Sequence, residues 1–262
     1  MSDRAGGPRE GADLESLLRT LAAVGRLLVV CDFDGVLAPL VDDPGESAAL
    51  PDSVTALVGL AALPDTGVAL VSGRSLADLA RLSGLGAPIT LVGSHGREWS
   101  TEETDDLDPA AVELLAEVTA ALADIAGRYD GVSVETKPTA AVLHVRRARS
   151  RDGAAAIEAA SQGPARRAGL TVTSGKDVLE LAVVASDKGT AVELLRDSFG
   201  ADAVLFAGDD VTDESALVRL RAADLGIKVG PEPTAATGRV ADPQAVAGLL
   251  TALLRLRAAA LP

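Results

Sequence analysis

Short apolar runs that stop abruptly on polar residues punctuate the first and last thirds of the chain. Leu27–Cys31 reads LLVVC and breaks into Asp-Phe-Asp-Gly. Residues 68–71 end in Ser-Gly-Arg, 89–92 in Gly-Ser-His-Gly, 203–206 in Ala-Gly-Asp-Asp, and Leu225–Val229 forms a shorter fifth run. Continuous apolar runs of this length predict strands buried on both faces, as in a parallel sheet. Ala- and Leu-rich stretches at 52–63, 75–82, 188–198 and 214–221 predict helices between them, and an amphipathic helix is expected near 14–24, after a polar tail. Alternation of this kind predicts a doubly wound α/β sheet.

The middle of the chain has a different rhythm. It reads as a helix (109–126), two strands (132–136 and 140–145) joined by a short turn at Lys137-Pro138-Thr139, a second helix (153–168), and two more strands (170–173 and 178–183). This predicts an α+β unit inserted between the third and fourth strands of the parallel sheet. The expected boundaries are a tail and short helix over 1–25, a catalytic core over 26–100 and 186–262, and the insert over 101–185. The acidic run at 102–106 reads as a solvated hinge or loop.

Composition narrows the possibilities. The chain has 262 residues, 48% hydrophobic and 24% charged, as expected of a globular fold. The formal charge of −14 disfavours nucleic acid as a partner, because phosphates must be met by surplus Lys and Arg. It also means that an anionic ligand needs a metal, a lysine or backbone amides. With one cysteine (Cys31) and two histidines (His95 and His144), Cys-rich zinc sites and His-rich metal sites are excluded. No stretch approaches the ~20 apolar residues of a membrane span, and the polar start lacks the apolar segment of a signal peptide. A cytoplasmic protein without membrane partners is expected.

In open parallel sheets, ligands bind beyond the carboxyl ends of the strands. Asp32 and Asp34 follow the first run, and their spacing puts both carboxylates on one face of an extended segment. Asp209 and Asp210 add negative charge at the fourth. Clustered carboxylates repel and require a cation, and hard oxygen donors favour Mg²⁺. Ser72-Gly73-Arg74 offers a hydroxyl and close backbone approach to an oxyanion. Lys188 opens a helix, where a cation opposes the macrodipole, so a role across the mouth accounts for its placement. Each segment also has a plainer reading: an Asp-Gly turn, an ordinary strand-to-helix turn capped by Ser75, a double N-cap over 209–213. All four in this order are not explained that way.

In this combination, DFDGVL at 32–37, SGR at 72–74, Lys188 and GDD at 208–210 resemble the four motifs of the haloacid-dehalogenase superfamily of aspartate-nucleophile phosphatases. The insert resembles that superfamily's C2-type α+β cap. GSHGRE at 93–98, VETK at 134–137, HVR at 144–146, GKDVLEL at 175–181, DKGTA at 187–191 and GDDVTDE at 208–214 resemble the trehalose-6-phosphate phosphatase family more narrowly, over about residues 27–250. Two positions depart from the family pattern: Val36 stands where Thr is usual and Val145 where Tyr is frequent.

The resemblance implies a haloacid-dehalogenase-like core, Asp32 as nucleophile, Asp34 as general acid and base, and Ser72 and Lys188 as phosphate-holding groups. Mg²⁺ is implied on Asp32, the main-chain carbonyl of Asp34, and Asp209, with Asp210 and Asp213 outside them. Glu135, Lys137 and Glu180 are expected to read the sugar hydroxyls, with Gly73, Arg74, His95, Arg146 and Lys176 completing the substrate set. The plainer reading of Glu135 and Lys137 is a salt-bridged surface hairpin; that of His144 is a packed imidazole. The implied reaction is hydrolysis of trehalose 6-phosphate, the last step of trehalose biosynthesis, by a monomer functionally coupled to a trehalose-phosphate synthase. A C2-capped phosphatase for another sugar phosphate, such as sucrose phosphate, and a non-catalytic regulatory homologue are the alternatives.

Overall fold

The computed structural model describes residues 9–101, 109–137, 139–175, 177–183 and 187–261. The acidic run at 102–106 and Lys176 therefore lie outside the described residues. The chain divides into two compact units, Met1–Glu103 with Ser186–Pro262, and Thr104–Ala185.

In the first unit, helix α1 (Gly11–Ala22) leads to strand β1 (Leu27–Cys31), helix α2 (Pro51–Ala61), strand β2 (Thr66–Val71), helix α3 (Leu76–Ser83), strand β3 (Thr90–Gly93) and the two-residue strand β4 (Glu98–Trp99). The second unit supplies α4 (Pro109–Ala126), β5 (Ser133–Lys137), β6 (Ala140–His144), α5 (Ser150–Gln162), β7 (Thr171–Gly175) and β8 (Val178–Ala182). The first unit resumes with α6 (Lys188–Phe199), β9 (Ala203–Gly208), α7 (Glu214–Leu217), β10 (Leu225–Val229), β11 (Gly238–Val240) and α8 (Pro243–Ala260).

The seven strands of the first unit lie in the order β11-β10-β9-β1-β2-β3-β4, all parallel except β4 against β3. Every residue of β1 is buried, and its side chains alternate between two cores. Leu27, Val29 and Cys31 pack with α1, α2, α3 and α8, whereas Leu28 and Val30 pack with α6 and α7. Helices on both faces explain the unbroken apolar runs. The strand order reverses between β1 and β9, and there the carboxyl ends open a crevice. The main-chain N–H of Asp32 donates to the Ala207 carbonyl at 2.9 Å, locking the two ends together.

Two predicted helices are shorter in the structure. The expected helix over 153–168 ends at Gln162 because Pro164 cannot continue the ladder. That over 214–221 stops at Leu217; the Asp224 carboxylate accepts from the N–H groups of Arg221 at 2.6 Å and Val204 at 2.9 Å, drawing the chain into a turn. Among the described residues, no helix is long and apolar enough to cross a membrane.

The second unit is a four-stranded antiparallel sheet, β5-β6-β8-β7. Ala141, Leu143, Leu179 and Leu181 face α4 and α5 and make the core with Val118, Leu122 and Ala156. Strand alternation sends Glu135, Lys137, His144 and Glu180 to the opposite face.

Candidate active site

Asp32, Asp34, Ser72, Gly73, Arg74, His95, Lys188, Asp209 and Asp210 line one cavity of about 450 Å³ at the switch point of the first unit. Asp32 leaves β1 almost fully buried. Its Oδ1 accepts from the Phe33 N–H at 2.6 Å and its Oδ2 from Lys188 Nζ at 2.8 Å. The same ammonium donates to Asp213 Oδ1 at 2.8 Å. Lys188 sits at the first position of α6, whose N-cap Asp187 accepts from the Thr190 N–H at 2.7 Å. The cap stabilises the helix end that the lysine opposes, and the lysine is spent on two buried carboxylates.

Asp213 organises the loop after β9. Its Oδ2 accepts from the N–H groups of Asp209 and Asp210 at 2.8 and 3.0 Å, and Asp210 Oδ1 accepts from the Thr212 and Asp213 N–H groups at 2.8 and 3.1 Å. One oxygen each of Asp32, Asp209 and Asp213 lies within 4.8 Å of the others. Gly35 makes this approach sterically allowed: its φ is +71°, and a Cβ there would stand 2.0 Å from Asp209 Oδ2.

These carboxylates are short of positive charge. Burial, with Asp213 and Asp210 nearby, pushes Asp209 up to about 6. Burial also raises Asp32 and Asp213, because two buried anions share one ammonium. Lys188 is raised by the same acids and stays cationic. The donor set is all hard oxygen and carries excess negative charge, so it suits Mg²⁺. Asp213 is fully buried and ties down Lys188 and two amides, whereas Asp32 and Asp209 line the cavity, which makes them the better-placed side-chain ligands.

Asp34 has a different environment. Arg74 grips it with two hydrogen bonds of 2.6 Å from Nε and Nη2, and the Ser47 hydroxyl adds a third at 3.1 Å. Arg74 also donates to the Pro44 carbonyl at 2.8 Å and stacks over Phe33. Ser72 is buried, and its hydroxyl accepts from the Arg74 N–H at 3.2 Å. His95 lies against Gly73 so closely that a Cβ on residue 73 would come 2.6 Å from the ring. Its loop turns through two left-handed residues, Ser94 and His95, whose N–H groups donate to Arg74 and Ser72 carbonyls at 2.7 and 2.9 Å.

Cys31 points away from the cavity. Burial and the adjacent Asp32 push its thiol up to about 12, so it behaves as a small apolar side chain.

Two site residues were not anticipated. Lys228, at the end of β10, is buried and donates to the main-chain carbonyl of Asp209. A lone lysine in the apolar run LGIKV is the signal that could have revealed it. Glu98 braces the 93–98 loop by accepting from the Leu76 N–H at 3.0 Å and from the Ser94 hydroxyl.

The remaining expected residues lie in the second unit. Lys137 Nζ donates to Glu180 Oε2 at 2.9 Å across β6, and His144 Nε2 lies 2.7 Å from Glu135 Oε2. Glu135, His144 and the exposed Arg146 line a second cavity of about 380 Å³.

The trehalose-phosphatase family profile matches residues 30–244. A trehalose-phosphate phosphatase from Mycobacterium marinum is 35% identical over 261 residues; the alignment covers 92% of this chain and 66% of that protein, so the chain spans just under two thirds of its length. Among solved structures, a trehalose-6-phosphate phosphatase from Aspergillus fumigatus superposes with a TM-score of 0.69 at 27% identity, over 95% of this chain and 99% of that one. A haloacid dehalogenase-like hydrolase from Bacteroides thetaiotaomicron, 16% identical, shares the fold with a TM-score of 0.62 over 86% of this chain and 98% of its own. With a family match that runs from the first strand of the parallel sheet to the start of its last helix, and a fold of the haloacid-dehalogenase kind, the chain belongs to the trehalose-phosphatase family.

Proposed function

We propose that the protein is a Mg²⁺-dependent phosphatase that hydrolyses trehalose 6-phosphate to trehalose and phosphate through an aspartyl-phosphate. The observation that carries this reading is the contrast between two aspartates two residues apart on one cavity. Asp32 is immobilised beside a lysine and a carboxylate cluster, whereas Asp34 is held at the rim by Arg74. Asp32, fixed between the Phe33 N–H and Lys188, is the nucleophile; Asp34 takes the acid–base role through its place in the family motif, and Arg74 has to release it before it carries a proton.

In the first step a carboxylate oxygen of Asp32 bonds to phosphorus as the sugar–oxygen bond to phosphorus breaks, and Asp34 delivers a proton to the departing oxygen. In the second, Asp34 takes a proton from water, which attacks phosphorus and releases phosphate, restoring Asp32. Ser72 and Lys188 hold phosphate oxygens, and Arg74, bidentate on Asp34, is the further cation that a phosphate in this cavity would draw on. Asp32, the Asp34 carbonyl and Asp209 would hold Mg²⁺, with Asp210 and Asp213 fixing the loop and Lys188 around them. The bound ion would neutralise the repulsion between an anionic nucleophile and an anionic substrate.

Glu135, Lys137 and Glu180 are assigned to the sugar hydroxyls, with Gly73, His95, Arg146 and Lys176 in the substrate set. Their residue types suit diols: carboxylates accept from paired hydroxyls and ammonium groups donate to them. This reading places the reaction last in trehalose biosynthesis, in the cytoplasm, fed by a trehalose-phosphate synthase and carried out by a monomer.

The test is phosphate release from trehalose 6-phosphate, sucrose 6-phosphate and glucose 6-phosphate, with and without Mg²⁺. Trehalose 6-phosphate should be the preferred substrate, and only with the ion. Asp32→Asn should lower turnover at least about 10⁴-fold without unfolding the protein; a monosaccharide preference, or an active Asp32→Asn variant, would refute the proposal.

A further inference from the structure

The second unit carries an interaction that the proposed chemistry does not use. Glu135 and His144 lie on adjacent strands, two register positions apart, on the sheet face away from α4 and α5. His144 pairs directly with Ser133, so its reach to Glu135 is the diagonal one that long side chains make across an antiparallel pair. The Nε2–Oε2 distance is 2.7 Å, and both side chains are partly exposed, 38% for His144 and 50% for Glu135. Both open onto the cavity of about 380 Å³ that Arg146 shares. The imidazole stands on the face opposite Ala141 and Leu143, outside the apolar layer between the sheet and its helices, and 38% of its side-chain surface is exposed.

We infer that His144 is a specificity-determining, positioning residue: its Nε2–H holds the Glu135 carboxylate in the orientation that accepts sugar hydroxyls. This deepens the proposed function and rests on Glu135 reading the sugar. A glutamate has three side-chain torsions to fix before it can accept two hydroxyls at once, and ordering them on binding costs affinity. One hydrogen bond from a ring that is itself fixed on a strand removes most of that freedom. A carboxylate has about four lone-pair sites, so acceptor capacity for a diol remains. The ring supplies a second property. Strands β5 to β8 carry no Phe, Tyr or Trp, so the imidazole is the one flat surface that this sheet offers to the C–H face of a sugar.

The experiment measures selectivity, the ratio of kcat/KM for trehalose 6-phosphate to that for p-nitrophenyl phosphate, which lacks the diols. His144→Leu should lower this ratio roughly tenfold, through KM for the sugar phosphate, as expected for loss of a hydrogen bond to a charged group. His144→Gln, whose amide nitrogen reaches the place of Nε2, should restore most of it. The double variant His144→Leu/Glu135→Gln should be no less selective than Glu135→Gln alone, because the histidine acts through the glutamate. Equal loss towards both substrates with a lowered unfolding temperature would make His144 structural and overturn the inference, as would unchanged selectivity or additive losses. If the wild-type chain hydrolyses p-nitrophenyl phosphate but not trehalose 6-phosphate, the proposed function falls and this inference with it. If Glu135→Gln lowers selectivity and His144→Leu does not, only the inference falls.

Discussion

In the first unit the decisive charges lie at the ends of buried parallel strands: Lys188, Asp32 and Asp213 keep 1%, 6% and 0% of their side-chain surface. In the second they lie on one face of an antiparallel sheet, as cross-strand pairs that keep between 12% and 50% of their side-chain surface. Asp32 and Asp213 each accept from main-chain amides and from Lys188, which is fixed between them, so the site is preorganised before any ligand arrives. In the second unit the Lys137–Glu180 pair reaches across β6 and the His144–Glu135 pair joins neighbouring strands, through side chains that keep part of their surface exposed. That division suits bond-making on one side and recognition of a hydroxyl-rich sugar on the other.

The contrast can be broken most sharply at Lys188. Lys188→Met leaves Asp32 and Asp213 facing each other in a buried space with no cation between them. Turnover should fall about 10²- to 10³-fold, and stability by about 3 kcal/mol. Lys188→Arg should rescue neither, because a planar fork does not replace a point charge set between two acids. Steady-state kinetics and denaturant unfolding read the two effects; a Lys188→Met protein of wild-type stability would show that burial does not set the two units apart.

A smaller effect follows from the carboxylates around Asp209. An aspartate whose pKa is raised in the fold binds its proton more tightly there than in the unfolded chain. Its ionisation therefore costs stability, and that cost grows as pH rises from about 4, the unfolded value, through about 6 for Asp209. Without a divalent ion the protein should lose stability across this window, whereas Mg²⁺ should offset the loss. At a hundredfold excess over its Kd the ion should contribute about 2.7 kcal/mol, which raises Tm by about 5 °C or more at pH 7.5. The increment should be clearly smaller at pH 5, as thermal melts in Mg²⁺ and in chelator would show. An equal increment at both pH values would place the ion away from these groups.

The smallest structural effect is expected at Lys137. Lys137→Met removes a largely buried ion pair with Glu180 and should cost about 1–2 kcal/mol of stability, less than Lys188→Met, yet raise KM for trehalose 6-phosphate about tenfold. A stability loss comparable to that of Lys188→Met would erase the distinction between the units.

Much of this arrangement was legible along the chain. Strands β1 and β10 fall where their apolar runs lie, because a strand buried on both faces is built mainly from apolar residues, Lys228 in β10 being held by the Asp209 carbonyl. Ser75 caps α3 by accepting from the Asp78 N–H, as its position before a periodic segment indicated. Less legible were β4 and β11, two and three residues long, which carry no periodic signal and exist through pairing with β3 and β10. Arg74 was expected on substrate, and its grip on Asp34 spans 40 residues, a proximity that no local pattern encodes. The same holds for His144 and Glu135, whose meeting depends on strand register.

The sequence alone determined which strand ends carry acids, hydroxyl and lysine, and which segments alternate, because burial and periodicity are local properties of residue type. Folding decided which of those groups touch: Lys188 between Asp32 and Asp213, Asp34 in the hold of Arg74, Lys228 under Asp209. The physical reason is that hydrogen bonds and ion pairs act over a few ångströms, and only the sheet order and register bring these residues, 19 to 156 positions apart, within that range.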